Sequence, residues 1–207
     1  MAYTKTLIGK LTMGHLGDRD ITSIDDQYDQ DAVTMKTRYE HARDAIYVSH
    51  DWKWAKRTVQ LARLSVTPIT RFTYAYALPS NYARLSNVSQ YTTMEPPLDD
   101  TDYDITDGQF HTDAEQVYMD FVANDWSEAV WPAYFADCVS VKLAEVSCLK
   151  ITHSAELKSA LSRMLQNTTL PLARSTDSTA QPFKRKLVRS PWQQSRLGRN
   201  TRPNLVR

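Results

Sequence analysis

Residues 131–152 read WPAYFADCVSVKLAEVSCLKIT, and this stretch constrains the fold more than any other. Pro132 suits the first position of a helix, where its missing N–H costs nothing. From there to about Lys150 apolar side chains occupy nearly every helical face: Phe135, Cys138, Val139, Val141, Ala144, Val146 and Leu149. A helix that is apolar almost all round is buried on most sides. We therefore expect a central helix over residues 132–150.

Both cysteines of the chain, Cys138 and Cys148, belong to this predicted helix. Ten residues at a rise of about 1.5 Å each separate them by about 15 Å, which is too far for a disulfide. We interpret them as small buried apolar residues rather than as a redox pair.

Three further helices are predicted around the central one. A first helix over 4–16 is indicated by Leu7, Ile8, Leu11 and Leu16, and Gly17 suits its C-terminal cap. A second helix over 29–50 begins at Asp29 and Asp31, whose charges favour a helix N-terminus. Its apolar positions step by three and four residues: Ala32, Met35, Tyr39, Ala42 and Ile46.

The last predicted helix covers residues 153–174. Its inward positions are expected to be Leu157, Ala160, Leu161, Met164 and Leu165. Pro171 is expected to bend or end it, because proline removes a backbone donor. The polar stretch Ser175–Gln181 is interpreted as a linker.

Residues 52–123 are rich in strand-forming residues. The stretch 54–64 and the alternating FTYAYALP of residues 72–79 favour strands, and 117–122 favours another. Asp107 and Gly108 stand between YDIT and QFHT, which predicts a hairpin. The predicted fold class is α+β, with a β-rich region between helices two and three. An extended C-terminal arm over 176–207 follows.

Charge is divided between two parts of the chain. Residues 85–141 carry twelve acidic side chains and no Lys or Arg, whereas residues 183–207 carry eight basic side chains and no acid. Such a division concerns partners rather than fold. We call residues 95–107 the acidic segment; its candidate channel or rim residues are Glu95, Asp99, Asp100, Asp102, Asp104 and Asp107.

We call residues 176–207 the basic arm. Its residues 183–207 contain two prolines, a glycine and apolar residues without a helical period, which indicates that they cannot order themselves by burial. Arginine pairs well with carboxylates, and scattered apolar side chains can fill pockets of a partner. The candidate partner-binding residues of the arm are Phe183, Lys184, Arg185, Lys186, Leu187, Arg189, Trp192, Arg196, Arg199 and Arg202.

The sequence contains no recognised catalytic or ligand-binding motif. The five histidines form no H-E-x-x-H pattern, and there is no phosphate-binding glycine loop and no G-x-S-x-G. The acidic segment offers paired carboxylates for acid–base work or Mg²⁺, but clustered acids in a turn-rich stretch are usually a solvated face. We predict no enzyme activity, cofactor or metal site. No stretch approaches the roughly 18 apolar residues of a membrane span, and no signal peptide begins the chain.

Several strings resemble one protein family. These are ITSIDD from Ile21, YEHARDAIYVSHDWKWAKRTVQLA from Tyr39, YAYALPSNYARL from Tyr74, TDAEQVYMDF from Thr112, and the stretch quoted first. They resemble the head-to-tail adaptor proteins of tailed bacteriophages, the family that includes tail tubular protein A of short-tailed phages. The resemblance spans about residues 7–174, and its A-R-D…H-x-W-x-x-A-x-R…Y-x-L-P order is moderately specific.

The resemblance implies a structural virion protein. The fold it implies for residues 1–175 is mainly an α-helical bundle, with a small β-sheet inserted between helices two and three. Members of the family form a twelve-fold ring beneath the portal, with a C-terminal arm on the portal and the opposite face receiving tail or nozzle components. It therefore implies a homo-oligomer in the neck of the virion, made in the host cytoplasm, that continues the DNA exit channel without binding DNA specifically. The alternative from the residues themselves is a nucleic-acid-binding module that uses the basic arm and Trp192. A chaperone or scaffold subunit outside the virion is a third interpretation.

Overall fold

A computed structural model describes residues 2–17, 20–66 and 68–180. Three helices and six strands lead to the last helical stretch. The elements in chain order are α1 (Lys5–Leu16), α2 (Gln30–Ser49), β1 (Lys56–Gln60), β2 (Tyr74–Ala77), β3 (Tyr82–Ser89), β4 (Tyr103–Thr106), β5 (Gln109–Thr112), β6 (Tyr118–Ala123), α3 (Ala133–Ile151), α4 (Ala155–Met164) and α5 (Leu170–Ala180).

The first three helices begin and end within one residue of the prediction. Thr4 caps α1 through its side-chain oxygen, and Gly17 ends it at φ 70° in the left-handed region. Asp29 caps α2 by accepting from the amide of Asp31. The five apolar positions predicted to face inward on α2 are all buried.

The β-rich region forms two antiparallel sheets of three strands each. Sheet A has the order β1-β6-β3, and sheet B has the order β2-β5-β4. The predicted hairpin is confirmed: Asp107 and Gly108 join β4 to β5 with φ angles of 55° and 71°. Positive φ at both turn residues is the conformation that two-residue hairpins favour.

Sheet A lies between the helices and sheet B. Val122 of β6 belongs to the core formed with the helices. Its neighbours along the strand, Phe121 and Ala123, belong to a second core that also contains Tyr76 of β2 and Phe110 of β5. Because successive strand residues point to opposite faces, one strand contributes to both cores.

The prediction of a mainly helical bundle is wrong. The fold is a mixed α+β fold with about 47% helix and 18% strand, and it has two three-stranded sheets rather than one small sheet. The reason is that residues 56–123 alternate well enough to bury a core of their own, so they form two layers instead of one insertion.

The last helix is longer than predicted. A π-helical segment, Leu165–Thr169, joins α4 to α5, and the helix continues to Ala180. The amide of Leu170 bonds to the carbonyl of Leu165, five residues earlier. Such a π segment changes the helical register just before Pro171, so the proline is accommodated instead of ending the helix. The predicted boundary at residues 175 and 176 therefore falls within α5, and the expected linker is helical as far as Ala180.

Some predicted core positions are exposed instead. Met164 and Leu149 are 41% and 46% exposed, and Ala160 is also exposed. Leu11 of α1 is at the surface as well, while Met13 is buried. The buried residues along α4 and α5 are Leu161, Leu165, Ala173 and Asp177. This stripe is narrower than predicted because the last helix packs on α3 along one face only.

The central helix is buried as predicted except at Leu149, which is exposed, and Val146, which is half-buried. Phe135 is fully buried, and its ring centroid lies 4.8–5.2 Å from those of four aromatic residues: Tyr47, Trp52, Trp54 and Trp131. Cys138 and Cys148 are buried free thiols, in agreement with their interpretation as small core residues. Burial raises the pKa of the Cys138 thiol to about 12.

Candidate functional site

The acidic segment lies at the outer edge of sheet B. It enters from the end of β3, where the amide of Leu98 bonds to the carbonyl of Val88, and it includes β4 and the hairpin turn. All six of its predicted acidic residues are exposed. Among the described residues, Asp99, Asp102, Asp104 and Asp107 form no ion pair. The structure therefore brings the predicted acidic residues together on one solvent-facing strip.

Two of these carboxylates stabilise the segment itself. Asp104 accepts from the amide of Ile105 at 2.8 Å and from the hydroxyl of Thr106 at 2.9 Å. Asp100 accepts from the phenol of Tyr103 at 3.1 Å. Because β4 is an edge strand, a carboxylate that occupies its backbone amide also discourages pairing with another strand. Asp99 and Asp102 have no such role for their side chains.

An open cavity of about 440 Å³ lies beside the acidic segment. It is lined by Arg71, Phe72, Gln90, Leu98, Thr101, Asp102, Thr112, Asp113 and Ala114. Asp113 accepts from both the amide and the hydroxyl of Thr73, and these bonds lower the pKa of its carboxyl. The lining thus combines acidic, neutral polar and apolar groups, with Arg71 as its one cation.

A second cluster of charged residues surrounds the carboxyl end of α2. Asp177 is 1% exposed, yet its carboxylate accepts from the amide of Lys53 and the phenol of Tyr134, each at 2.9 Å. The Lys53 ammonium donates to the carbonyl of Ser178 at 2.7 Å. These bonds fix the last turns of α5 to the body of the protein.

The imidazole of His50 completes this cluster. Its Nε2 lies 3.8 Å from Asp177 Oδ2. Burial lowers the pKa of His50; Asp177 acts in the opposite direction, and Arg174 adds to the lowering. The cluster was missed at the sequence level because Asp177 stands in a polar stretch. One pattern in the sequence does indicate it: Asp177 stands four residues after Ala173, so both lie on the same buried face of the helix.

Several motif residues of the family resemblance lie where the helices meet sheet A. The indole N–H of Trp52 donates to the carbonyl of Ile46 at 2.8 Å, and the carbonyl of Ala55 accepts from Trp126 at 3.1 Å. Arg57 pairs with Asp125 at 2.9 Å and stacks over the Trp126 ring. These motif residues therefore build the joint between layers instead of a reactive site.

The predicted partner-binding residues of the basic arm lie outside the described residues. They are Phe183, Lys184, Arg185, Lys186, Leu187, Arg189, Trp192, Arg196, Arg199 and Arg202. Of the basic arm, the structure describes only the helical residues up to Ala180.

One serine–histidine contact joins α1 to α3. Ser140 Oγ lies 3.3 Å from His15 Nε2, but Ser140 is 1% exposed and its hydroxyl donates to the carbonyl of Asp137. A substrate cannot reach a nucleophile buried in this way. Within the described ranges, no group of three or more His, Cys, Asp or Glu residues is placed to hold a metal ion. In the same part of the chain, no helix has the length and apolar character needed to cross a membrane.

The sequence was also compared with known proteins. No model of a known protein family matches it, and no curated protein matches it in sequence.

Proposed function

We propose that this protein is a structural head-to-tail adaptor of a bacteriophage virion. It acts in the neck, where it forms a ring between portal and tail and continues the channel through which DNA leaves. The observation that carries this proposal is the separation of charge, with an exposed acidic strip on sheet B and eight basic side chains after residue 182. The helix, strand, helix order of the described residues supports the same proposal.

The fixed end of α5 supports a docking role for the basic arm. Asp177 and Ser178 are both bonded to Lys53, so the arm starts from a defined point on the body. A ligand tethered to a fixed point meets its partner at high effective concentration. In a ring of many copies, each arm needs only weak affinity for the portal to make a firm joint.

The acidic segment suits a ring through which DNA passes. Each phosphate that a protein neutralises adds salt-dependent affinity, and such affinity would retard the duplex. Exposed carboxylates avoid this retention. They also suit a rim recognised by a basic surface of a neighbouring protein.

Deleting residues 183–207 tests the proposal. The truncated protein should keep its fold, but it should no longer join the portal, and particles should contain heads without tails. We expect the isolated full-length protein to be monomeric or weakly associated and to form rings when portal is added. Negative-stain microscopy of protein mixed with portal measures both effects. Normal attachment of the truncated protein would contradict the docking role.

Nucleic-acid binding is the second candidate function. It is favoured by the eight basic residues of the arm together with Trp192, which is able to stack on a base. Under the adaptor proposal, Trp192→Ala weakens portal attachment by roughly 2 kcal/mol or more per arm, and changing Arg199 and Arg202 to Gln has a smaller, salt-dependent effect. Under nucleic-acid binding, the charge changes matter more and duplex affinity falls steeply with salt.

A further inference from the structure

Two arginines from different layers meet at the carboxyl end of α2. Arg84 of β3 donates from Nη1 to the carbonyl of Val48 at 2.8 Å. Arg174 of α5 donates from Nη2 to the carbonyl of Ser49 at 2.7 Å. Bonds to adjacent carbonyls hold the two guanidinium groups near each other and fix their positions. We call these residues the arginine pair.

Capping α2 does not use the full bonding capacity of the arginine pair. A guanidinium has five N–H donors in a planar fork that matches a carboxylate. Among the described residues, neither arginine forms an ion pair with an acid. Arg84 is exposed, whereas Arg174 is half-buried and its Nε is buried without a hydrogen-bond partner there.

The neighbouring acids of the same chain are already engaged. Asp177 accepts from Lys53 and Tyr134. Asp51 pairs with Lys56 at 2.6 Å and accepts from Ser86, both through Oδ2, and its buried Oδ1 forms no hydrogen bond with either arginine. The arginine pair is therefore a preorganised cationic site whose carboxylate partner is not among these acids.

The acidic segment, in contrast, has carboxylates without cationic partners among the described residues. Asp99 and Asp102 are exposed, and no described cation pairs with them. Asp102 also lines the 440 Å³ cavity, which has room for a long side chain to approach its carboxylate. One surface thus has unused cationic donors, and another has unused carboxylates beside a cavity.

We propose that copies of this chain associate head to tail, with the arginine pair of one copy binding Asp99 and Asp102 of the next. This rests on the proposed ring and names the contact that builds it. Two different surfaces of one chain that complement each other make a heterologous contact, and such contacts close into rings when the rotation permits. One contact would neutralise both unused surfaces, whereas docking of the basic arm on the acidic segment would leave the arginine pair unmatched.

Complementary charge reversal tests this contact. The first variant carries Arg84→Glu and Arg174→Glu, and the second carries Asp99→Lys and Asp102→Lys. Each alone should form at least roughly tenfold fewer rings on portal than the unchanged chain. An equimolar mixture should recover rings, because the reversed surfaces then meet each other. Sedimentation velocity and negative-stain microscopy give the two readouts.

Matched controls separate this contact from general charge effects and from misfolding. Lys10→Glu with Glu156→Lys changes exposed residues of α1 and α4, which belong to neither surface, and should leave ring formation unchanged. Arg84→Gln with Arg174→Gln keeps amide donors near the α2 carbonyls while removing both charges. It should fold and still fail to form rings, which shows that the loss does not come from an uncapped helix.

The possible outcomes are distinct. Rings that survive both reversals, or a mixture that recovers none, would overturn this contact while leaving the adaptor proposal intact. The inference is also overturned if the effect of the Asp99 and Asp102 changes disappears in the chain lacking 183–207, since the basic arm would then be their partner. Reduced DNA binding by the arginine variants without any change in association overturns it as well. Association restored in the mixture without any affinity for portal supports the contact and contradicts the adaptor proposal.

Discussion

At the scale of single residues, Phe135 matters most for stability. Its ring contacts four aromatic side chains that belong to α2, to the connection before β1 and to the start of α3. Removing the Phe135 ring leaves a cavity lined by several separate elements, and all of them would have to shift to fill it. The sequence alone indicated the burial of Phe135, because the helical pattern was apolar on every face. It did not indicate the aromatic cluster, whose members are brought together from residues 47–54 and 126–135.

We expect Phe135→Ala to lower the free energy of unfolding by about 3–5 kcal/mol. Urea denaturation followed by circular dichroism measures the loss. Phe135→Leu is the matched control and should cost clearly less, since it keeps most of the apolar volume. An alanine variant that melts within about a degree of the unchanged protein would show that this position is not part of the core.

The lowered pKa values of two histidines predict that the stability of the fold depends on pH. Burial lowers the pKa of both His15 and His50 from the usual 6.5. The unfolded chain therefore takes up protons at a higher pH than the folded chain. The stabilising contribution of the neutral imidazoles is complete above about pH 6.5 and is lost as the pH falls through the folded pKa values.

The unfolding free energy should therefore decrease between pH 7.5 and pH 5.5. His15→Gln and His50→Gln should each reduce the slope, and His41→Gln, at an exposed position with no part in either site, is the control. Asp137 acts in the other direction at lower pH, because burial raises the pKa of its carboxyl and the folded state keeps that proton longer. A flat profile across this range would contradict the assignment.

At the scale of elements, α1 offers two glycines with opposite requirements. Gly14 lies inside the helix, and a Cβ built there meets nothing within 4 Å. Gly17 ends the helix at φ 70°, where a side chain is strained. Gly14→Ala should raise the free energy of unfolding by about 0.5–1 kcal/mol. Gly17→Ala should lower it by about 1–2 kcal/mol.

Thermal melts of these two single variants provide the measurement, and each serves as the control for the other. Equal shifts in the same direction would mean that α1 does not end at Gly17. Helix ends of this kind were predictable, because the capping residues Thr4, Asp29 and Gly17 act locally. The continuation of the last helix past Pro171 was not, because it depends on a π segment that packs against α3.

At the scale of the whole molecule, the sequence indicated the order of helices and strands but not the layers. The strands alternate between sheets along the chain, since β1, β3 and β6 form sheet A while β2, β4 and β5 form sheet B. Such pairing is set by contacts distant in sequence, which local patterns do not encode. The acidic segment could be recognised from composition alone. The arginine pair and Asp177 could not, because their importance comes from neighbours about 35 to 125 residues away.

The position of α3 in the chain has a consequence for biosynthesis. The core residues of α1 and α2 share one cluster with α3, which begins only at Ala133. Before α3 has been synthesised, the nascent chain therefore carries two helices whose apolar stripes are exposed. Both β-sheets, in contrast, have all of their strands once Ala123 has been added. Pulse proteolysis of ribosome-bound chains stopped beyond residue 125 should find the sheets protected before the helices. During that interval the apolar faces of α1 and α2 are the natural targets for a chaperone.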